Sequence, residues 1–153
     1  MIRYLGTLIA FLVFLGGCAT YPDVNRQRLE SLPQHYTQFD VVLAWQVRSV
    51  GSQTIVDGVL KNVRYTFMDD IEVWVAVLDA SGKPMARSMS FVSPPLLERD
   101  DIVPFSVVLP VQVVPGTKLR FTYKYNGSDG GGSDGGGGAT KWMQSFVSEV
   151  PNR

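Results

Sequence analysis

The sequence predicts an all-β domain in the form of a two-layer β-sandwich of about seven short strands. Apolar and polar residues alternate with a period of two in several segments after residue 39. Turn residues recur at a spacing of about ten positions, as between the short strands of a sandwich. No amphipathic helix pattern is present in this part of the chain. An open barrel is the alternative architecture.

The first 17 residues have the pattern of an export signal. Arg3 supplies a short positive region, and an apolar run follows from Tyr4 to Leu15. This run is shorter than the roughly 20 apolar residues of a membrane-spanning helix, and polar sequence with prolines follows it. We therefore predict a signal peptide over residues 1–17, cleaved between Gly17 and Cys18.

Cys18 is the only cysteine of the chain, so it cannot form an internal disulfide. Together with the preceding run, the segment "LGGC" (Leu15–Cys18) resembles the bacterial lipobox. The resemblance implies that Cys18 receives a diacylglycerol and, after cleavage, carries three acyl chains, enough for stable membrane anchoring. Ala19 stands where inner-membrane retention commonly uses Asp, so the resemblance implies the outer membrane. The alternative is an ordinary signal peptide with an incidental cysteine.

Residues 18–38 are predicted to form a lipidated tether. The segment is polar, contains two prolines, and shows at most one helical turn between Arg26 and Leu32. Such composition favours an extended, solvated chain that holds a domain away from the bilayer. The alternative is that Leu29, Leu32 and Tyr36 dock onto the domain.

The folded domain is predicted over residues 39–150, which is one domain by length. Its expected architecture is an immunoglobulin-like or fibronectin-like sandwich, since that fold has about seven short strands with regular turns. The predicted strands are Val41–Ser49, Thr54–Val63, Asp70–Asp79, Met85–Val92, Phe105–Pro110, Leu119–Tyr125 and Lys141–Val150.

A segment rich in glycine, serine and aspartate lies between the last two predicted strands, over residues 126–138. Phosphate-binding glycine loops join a strand to a helix and carry a lysine, and neither feature is present here. The composition is that of a flexible linker, so we predict a long loop. An adaptable binding loop is the alternative, since long loops are often functional.

Three short motifs carry a resemblance to a known family. "GVLKN" (Gly58–Asn62), "VAVLDASGKP" (Val75–Pro84) and "PF" (Pro104–Phe105) are similar to the FxLYD-type family of small bacterial Ig-like domains, which often follow lipoprotein signals. The similarity covers about residues 40–110. In the motif that names the family, this chain has Val75, Val77 and Leu78 where Phe, Leu and Tyr are typical, and it shares Asp79. The resemblance implies a fold and an extracytoplasmic setting rather than an activity.

The inventory of reactive side chains argues against catalysis and metal binding. His35 is the only histidine and lies in the predicted tether, so we interpret it as solvated. With one histidine and one cysteine, a zinc site is not expected. The adjacent carboxylates Asp69–Asp70 and Asp100–Asp101 are interpreted as turn residues, because neighbouring strand residues point to opposite faces. Calcium at the Asp100 loop is the alternative.

These observations predict a non-catalytic envelope lipoprotein without a cofactor. The formal net charge is zero, which gives no indication of nucleic acid binding. The expected partners are the membrane, through the N-terminal lipid, and an envelope protein that binds the Ig-like domain. The alternatives are a purely structural envelope component and an enzyme with a carboxylate-based site.

The candidate interaction surface centres on Trp74. If the apolar residues at odd positions from 71 to 77 face the core, Trp74 lies on the outer face. In a sandwich this strand is expected to share a sheet with the last two strands, which would place Arg120 and Lys124 beside Trp74. Aromatic and arginine side chains dominate binding hot spots. Two alternatives remain: a cation that merely covers the indole, and Trp74 as the core tryptophan.

Overall fold

The computed structural model describes residues 23–128 and 139–152. The predicted signal peptide, Gly17, Cys18 and residues 129–138 of the glycine-rich segment lie outside the described residues. Within the two described ranges the chain forms one helix, α1 (Val24–Ser31), and nine strands. The strands are β1 (Gln34–Thr37), β2 (Val41–Val50), β3 (Gln53–Asn62), β4 (Phe67–Leu78), β5 (Pro84–Phe91), β6 (Leu96–Leu97), β7 (Ile102–Leu109), β8 (Lys118–Ser128) and β9 (Thr140–Glu149).

The strands form two antiparallel sheets packed face to face. The first sheet has the order β1-β2-β3-β7, and the second has the order β5-β4-β8-β9 with β6 paired to β4. Seven of these strands correspond to the seven predicted ones, so the predicted sandwich is confirmed. Trp45 of the first sheet and Phe121 of the second pack in the core with ring centroids 4.7 Å apart.

Helix α1 begins and ends at residues suited to those positions. Asp23 is the N-cap, and its carboxylate accepts hydrogen bonds from the backbone N–H groups of Asn25 and Arg26. The helix ends at Leu32, which is extended (φ −66°, ψ 141°), because Pro33 disfavours the helical conformation in the residue before it.

The segment that contains α1 and β1 is docked on the sandwich. Leu32 is buried against Ala44 and Val59 on the outer face of the first sheet. Strand β1 pairs with β2, and Tyr36 stacks on Phe146 with ring centroids 3.7 Å apart. The prediction of an extended, solvated tether is therefore wrong for residues 24–37, and the alternative of docking is confirmed. Docking satisfies the backbone groups at the edge of β2 and removes apolar side chains from water.

Two strands of the second sheet extend further than the sequence predicts. Asp69 and Asp70 are predicted as turn residues, but they lie within β4, where the pairing with β8 shifts register and Asp70 has φ +48°. This is a bulge, which re-aims the strand without ending it. Strand β8 continues to Ser128, because its last residues still pair with the start of β4, where Gly127 lies opposite Met68.

Gly58 of β3 is required by a close approach between strands. A Cβ at this position would lie 2.2 Å from the carbonyl oxygen of Ala44 and 2.8 Å from the ring of Phe105. A backbone atom cannot yield as a flexible side chain can, so only glycine fits here. The cross-strand partners of Gly58 are Trp45 on one side and Phe105 on the other.

One buried carboxylate joins the two sheets. Asp40, at the start of β2, is fully buried. Its two oxygens accept hydrogen bonds from the hydroxyl groups of Tyr123 and Tyr125 of β8, at 2.8 and 2.9 Å. Burial and this carboxylate raise the pKa of Tyr125 to about 12 and raise the pKa of Tyr123 as well. Both tyrosines therefore stay neutral and remain donors.

The raised tyrosine pKa values predict a loss of stability at high pH. In the unfolded chain a tyrosine ionises near pH 10. The stabilisation from the neutral hydroxyls is therefore fully present below about pH 10 and is lost as the pH rises from there towards 12. Urea unfolding at pH 8, 10 and 11 should show a steeper fall for the wild type than for Tyr125→Phe. Equal falls would contradict the linkage, because all other ionisations are common to both proteins.

Candidate functional site

Trp74 lies on the outer face of the second sheet, as the alternation predicts. Ile71, Val73, Val75 and Val77 of β4 are buried in the core, whereas Trp74 is half-buried on the opposite face. The core tryptophan is Trp45 instead. The predicted neighbours of β4 are also confirmed, since β8 lies beside it and β9 beside β8.

Three charged side chains surround the indole of Trp74. The ring N–H donates a hydrogen bond to Glu72 Oε2 at 2.5 Å. Lys124 Nζ lies 3.4 Å from the same oxygen and 4.9 Å from the indole centroid. The guanidinium carbon of Arg87 lies 5.5 Å from that centroid. The indole thus accepts two cation–π contacts while its N–H is held by a carboxylate.

Arg120 belongs to the same surface but does not cover the indole. It lies opposite Ala76 in the β4–β8 register, and its guanidinium is 3.5 Å from the carbonyl oxygen of Gly82. Between Arg120 and Lys124, Thr122 pairs with Trp74 and its hydroxyl lies 2.7 Å from that of Ser145 on β9. The sequence therefore places Lys124 correctly and brings Arg120 to the same face, at a distance from the ring.

Arg87, like Met143 of β9, belongs to this surface without being predicted from the sequence. Its strand, β5, has no regular apolar alternation, so the sequence does not show which face each side chain occupies. The pairing of β4 with β5 places Met89 opposite Trp74 and Arg87 opposite Ala76. Predicting the position of Arg87 from the sequence would require the register between β4 and β5, and that register depends on the turn between the two strands.

These side chains line a shallow, open cavity of about 350 Å³, called here the Trp74 surface. Its lining combines apolar and cationic groups from four strands: Trp74, Val75, Ala76, Pro84, Arg87, Arg120, Thr122, Lys124, Met143 and Ser145. Three of these lining residues are cations and none is a carboxylate, and the nearby Glu72 is already paired with Lys124. The surface is therefore suited to an acidic group next to an apolar one.

The carboxylates elsewhere serve local structure. The Asp101 side chain accepts the backbone N–H of Glu98 at 2.8 Å, which confirms its assignment as a turn residue. Asp100 pairs with Lys61 at 2.7 Å, and this hydrogen bond lowers the pKa of the Asp100 carboxyl. In the hairpin after β4, the Ser81 hydroxyl likewise lowers the pKa of Asp79. These groups are held ionised in turns rather than facing each other across a cleft.

The remaining reactive groups form no cluster in the described ranges. No group of three or more histidine, cysteine, aspartate or glutamate side chains is placed to hold a metal ion in residues 23–128 and 139–152. His35 is exposed, with its Nε2 2.8 Å from the carbonyl oxygen of Leu29. In the same part of the chain, no helix is long and apolar enough to cross a membrane. Cys18 lies outside the described residues.

Comparison with solved structures identifies the fold. The GAE domain of GGA2p from Saccharomyces cerevisiae aligns with a TM-score of 0.53 at 11% identity, covering 78% of this chain and 97% of that domain. The chain has an immunoglobulin-like β-sandwich fold. The GAE domain of yeast GGA1 aligns with a TM-score of 0.45 at 9% identity, covering 76% and 96%. No family model matches the sequence, and no curated protein matches it.

The outer position of Trp74 in this Ig-like domain predicts a small effect of its removal on stability. Trp74→Ala should lower the free energy of unfolding by about 1 kcal/mol, the value of the lost cation–π contacts. Trp45→Ala, the matched core substitution, should cost about 3 to 5 kcal/mol. Urea unfolding of the two variants measures both values, and a cost of 3 kcal/mol or more for Trp74→Ala would contradict its outer position.

Proposed function

We propose that this chain is a lipid-anchored lipoprotein of the bacterial cell envelope whose Ig-like domain is a non-catalytic interaction module. The lipobox-like segment Leu15–Cys18 supports the anchor, and Ala19 supports the outer membrane as its location. The resemblance to FxLYD-type domains supports the same extracytoplasmic setting. A β-sandwich with an open aromatic and cationic surface supports the interaction role.

The observation that carries the interaction role is the open Trp74 surface. A half-buried indole with three cations around one cavity combines the side-chain types that are enriched in binding hot spots. Met143 adds an exposed, adaptable apolar side chain at the edge of the cavity. We infer that the partner is an envelope protein segment with carboxylates beside an apolar side chain, because the excess of cations favours an acidic partner.

A purely structural envelope component is the second candidate. It is favoured by the contacts that Arg87 and Lys124 already make with the indole. A ring covered on its outer side by two cations contributes to the stability of the sheet without any partner. The two functions differ in whether removal of Trp74 changes an interaction or only stability.

Lipid attachment is tested by Cys18→Ala. The thiol is the acylation site in the proposal, so the variant should stay unprocessed and should take up no label. Cells grown with labelled palmitate measure this directly, with the wild-type chain as the control. Equal labelling of both proteins would contradict the anchor.

The interaction role is tested with a photo-crosslinking residue at Met143, with a matched control at Val108 on the outer face of the first sheet. In intact cells the Met143 position should give a defined cross-linked product. Trp74→Ala and Arg120→Glu should each reduce it about tenfold, which corresponds to about 1.4 kcal/mol. Lys118→Glu should not, because Lys118 lies on the same strand outside the cavity. A product at Met143 no stronger than at Val108 would favour the structural component, and a product unchanged in all three variants would contradict the Trp74 surface as the contact.

A further inference from the structure

One end of the sandwich, called here the proximal end, lies where the described chain begins. Asn25, in the first turn of α1, donates a hydrogen bond to the carbonyl oxygen of Ile102, which starts β7. Strand β3 ends and strands β2 and β4 begin at the same end of the domain, since Val41 pairs with Asn62. The first turn of α1 therefore lies at this end, and the chain that precedes α1 joins the domain here.

Aromatic and apolar side chains are exposed at the proximal end. Val24, Phe39, Tyr65 and Leu96 are between 49% and 84% exposed. Phe39 precedes β2, Tyr65 lies in the connection from β3 to β4, and Leu96 pairs with Asp69 near the start of β4. Exposed apolar side chains at the opposite end, such as Val50 and Val114, are aliphatic only. Tyrosine is enriched at membrane interfaces, and Phe and Leu are typical of the apolar face of interfacial segments.

Two exposed rings of the proximal end, those of Tyr65 and Phe39, each have a guanidinium beside them. The guanidinium carbon of Arg99 lies 3.7 Å from the centroid of Tyr65. That of Arg64 lies 5.5 Å from Phe39 and 4.7 Å from the half-buried Trp142. This arrangement places a ring where it can enter the boundary of the acyl chains and a cation where it can meet lipid phosphates.

The length of the chain before α1 limits how far the domain can stand from a lipid on Cys18. Four residues lie between Cys18 and Asp23, and the five Cα-to-Cα steps span at most about 18 Å when fully extended. The 12 residues of β4 correspond to a strand of about 40 Å. Asp23, at the proximal end, must therefore lie within about 18 Å of a lipidated Cys18, which is less than half the length of that strand.

We propose that the proximal end docks on the leaflet that holds the lipid anchor, with Phe39, Tyr65 and Leu96 at the level of the headgroups. This inference rests on the proposed lipid attachment at Cys18. The carboxylates near this end, such as Asp100, leave it without a cationic excess, so the apolar side chains carry the contact. The docked domain then presents the Trp74 surface to the side, along the strands of the second sheet.

The test uses the full lipidated chain in vesicles of phosphatidylethanolamine and phosphatidylglycerol, with and without brominated acyl chains. Tyr65→Trp and Leu96→Trp report on the proximal end, Val50→Trp on the opposite end, and Val108→Trp on the outer face of the first sheet. Bromine should quench the added emission of both proximal reporters at least about twofold more than that of either control. Far-ultraviolet circular dichroism checks that each variant is folded.

The remaining outcomes overturn the inference, and flotation of the parent protein with the vesicles shows which proposal fails. Equal quenching of all reporters in a protein that floats means that the domain stands free of the bilayer while the anchor holds. Strongest quenching at Val108 means that the domain lies on its first sheet. A protein that does not float has no anchor, and both proposals fail together.

Discussion

The structure depends on the hydrogen bonds between the buried carboxylate of Asp40 and the hydroxyls of Tyr123 and Tyr125. The three groups connect the start of β2 in the first sheet with β8 in the second. A buried carboxylate is costly unless donors compensate for lost water, and the two hydroxyls supply that compensation. Each hydroxyl in turn would be an unsatisfied donor without the carboxylate. The two sheets are therefore fixed relative to one another at this point.

This internal contact also determines what the second sheet presents outward. Side chains alternate between the faces of a strand, so tyrosines that point inward from β8 force Thr122 and Lys124 to point outward. The register of β4 and β8 then places Glu72 opposite Lys124 and Trp74 opposite Thr122. A slip of one residue would bury the charges and expose the rings. The composition of the Trp74 surface is thus a consequence of how the core is packed.

The docked N-terminal segment gives the domain two different outer faces. On the first sheet, α1 lies over β2, β3 and β7, and Arg28 pairs with Asp57 at 3.4 Å. Asp57 also pairs with Arg48 at 2.9 Å and accepts a hydrogen bond from Gln46 at 3.1 Å. Both of its oxygens therefore have partners on this face. The outer face of the second sheet has no such cover from the described residues. An interaction surface therefore has room on the second sheet rather than on the first.

The sequence alone determined the features that depend on local pattern. Alternation with a period of two gave the inward and outward faces of β4 and β8, because backbone geometry sets that period within each strand. The tertiary structure decided what depends on distant partners. Asp40 lies 83 residues from Tyr123, and Arg87 reaches Trp74 only through the register of β5. Leu32, at the end of α1, packs on residues of β2 and β3. Local patterns carry no information on such contacts, since a polar segment with a few apolar residues reads the same whether it is solvated or docked.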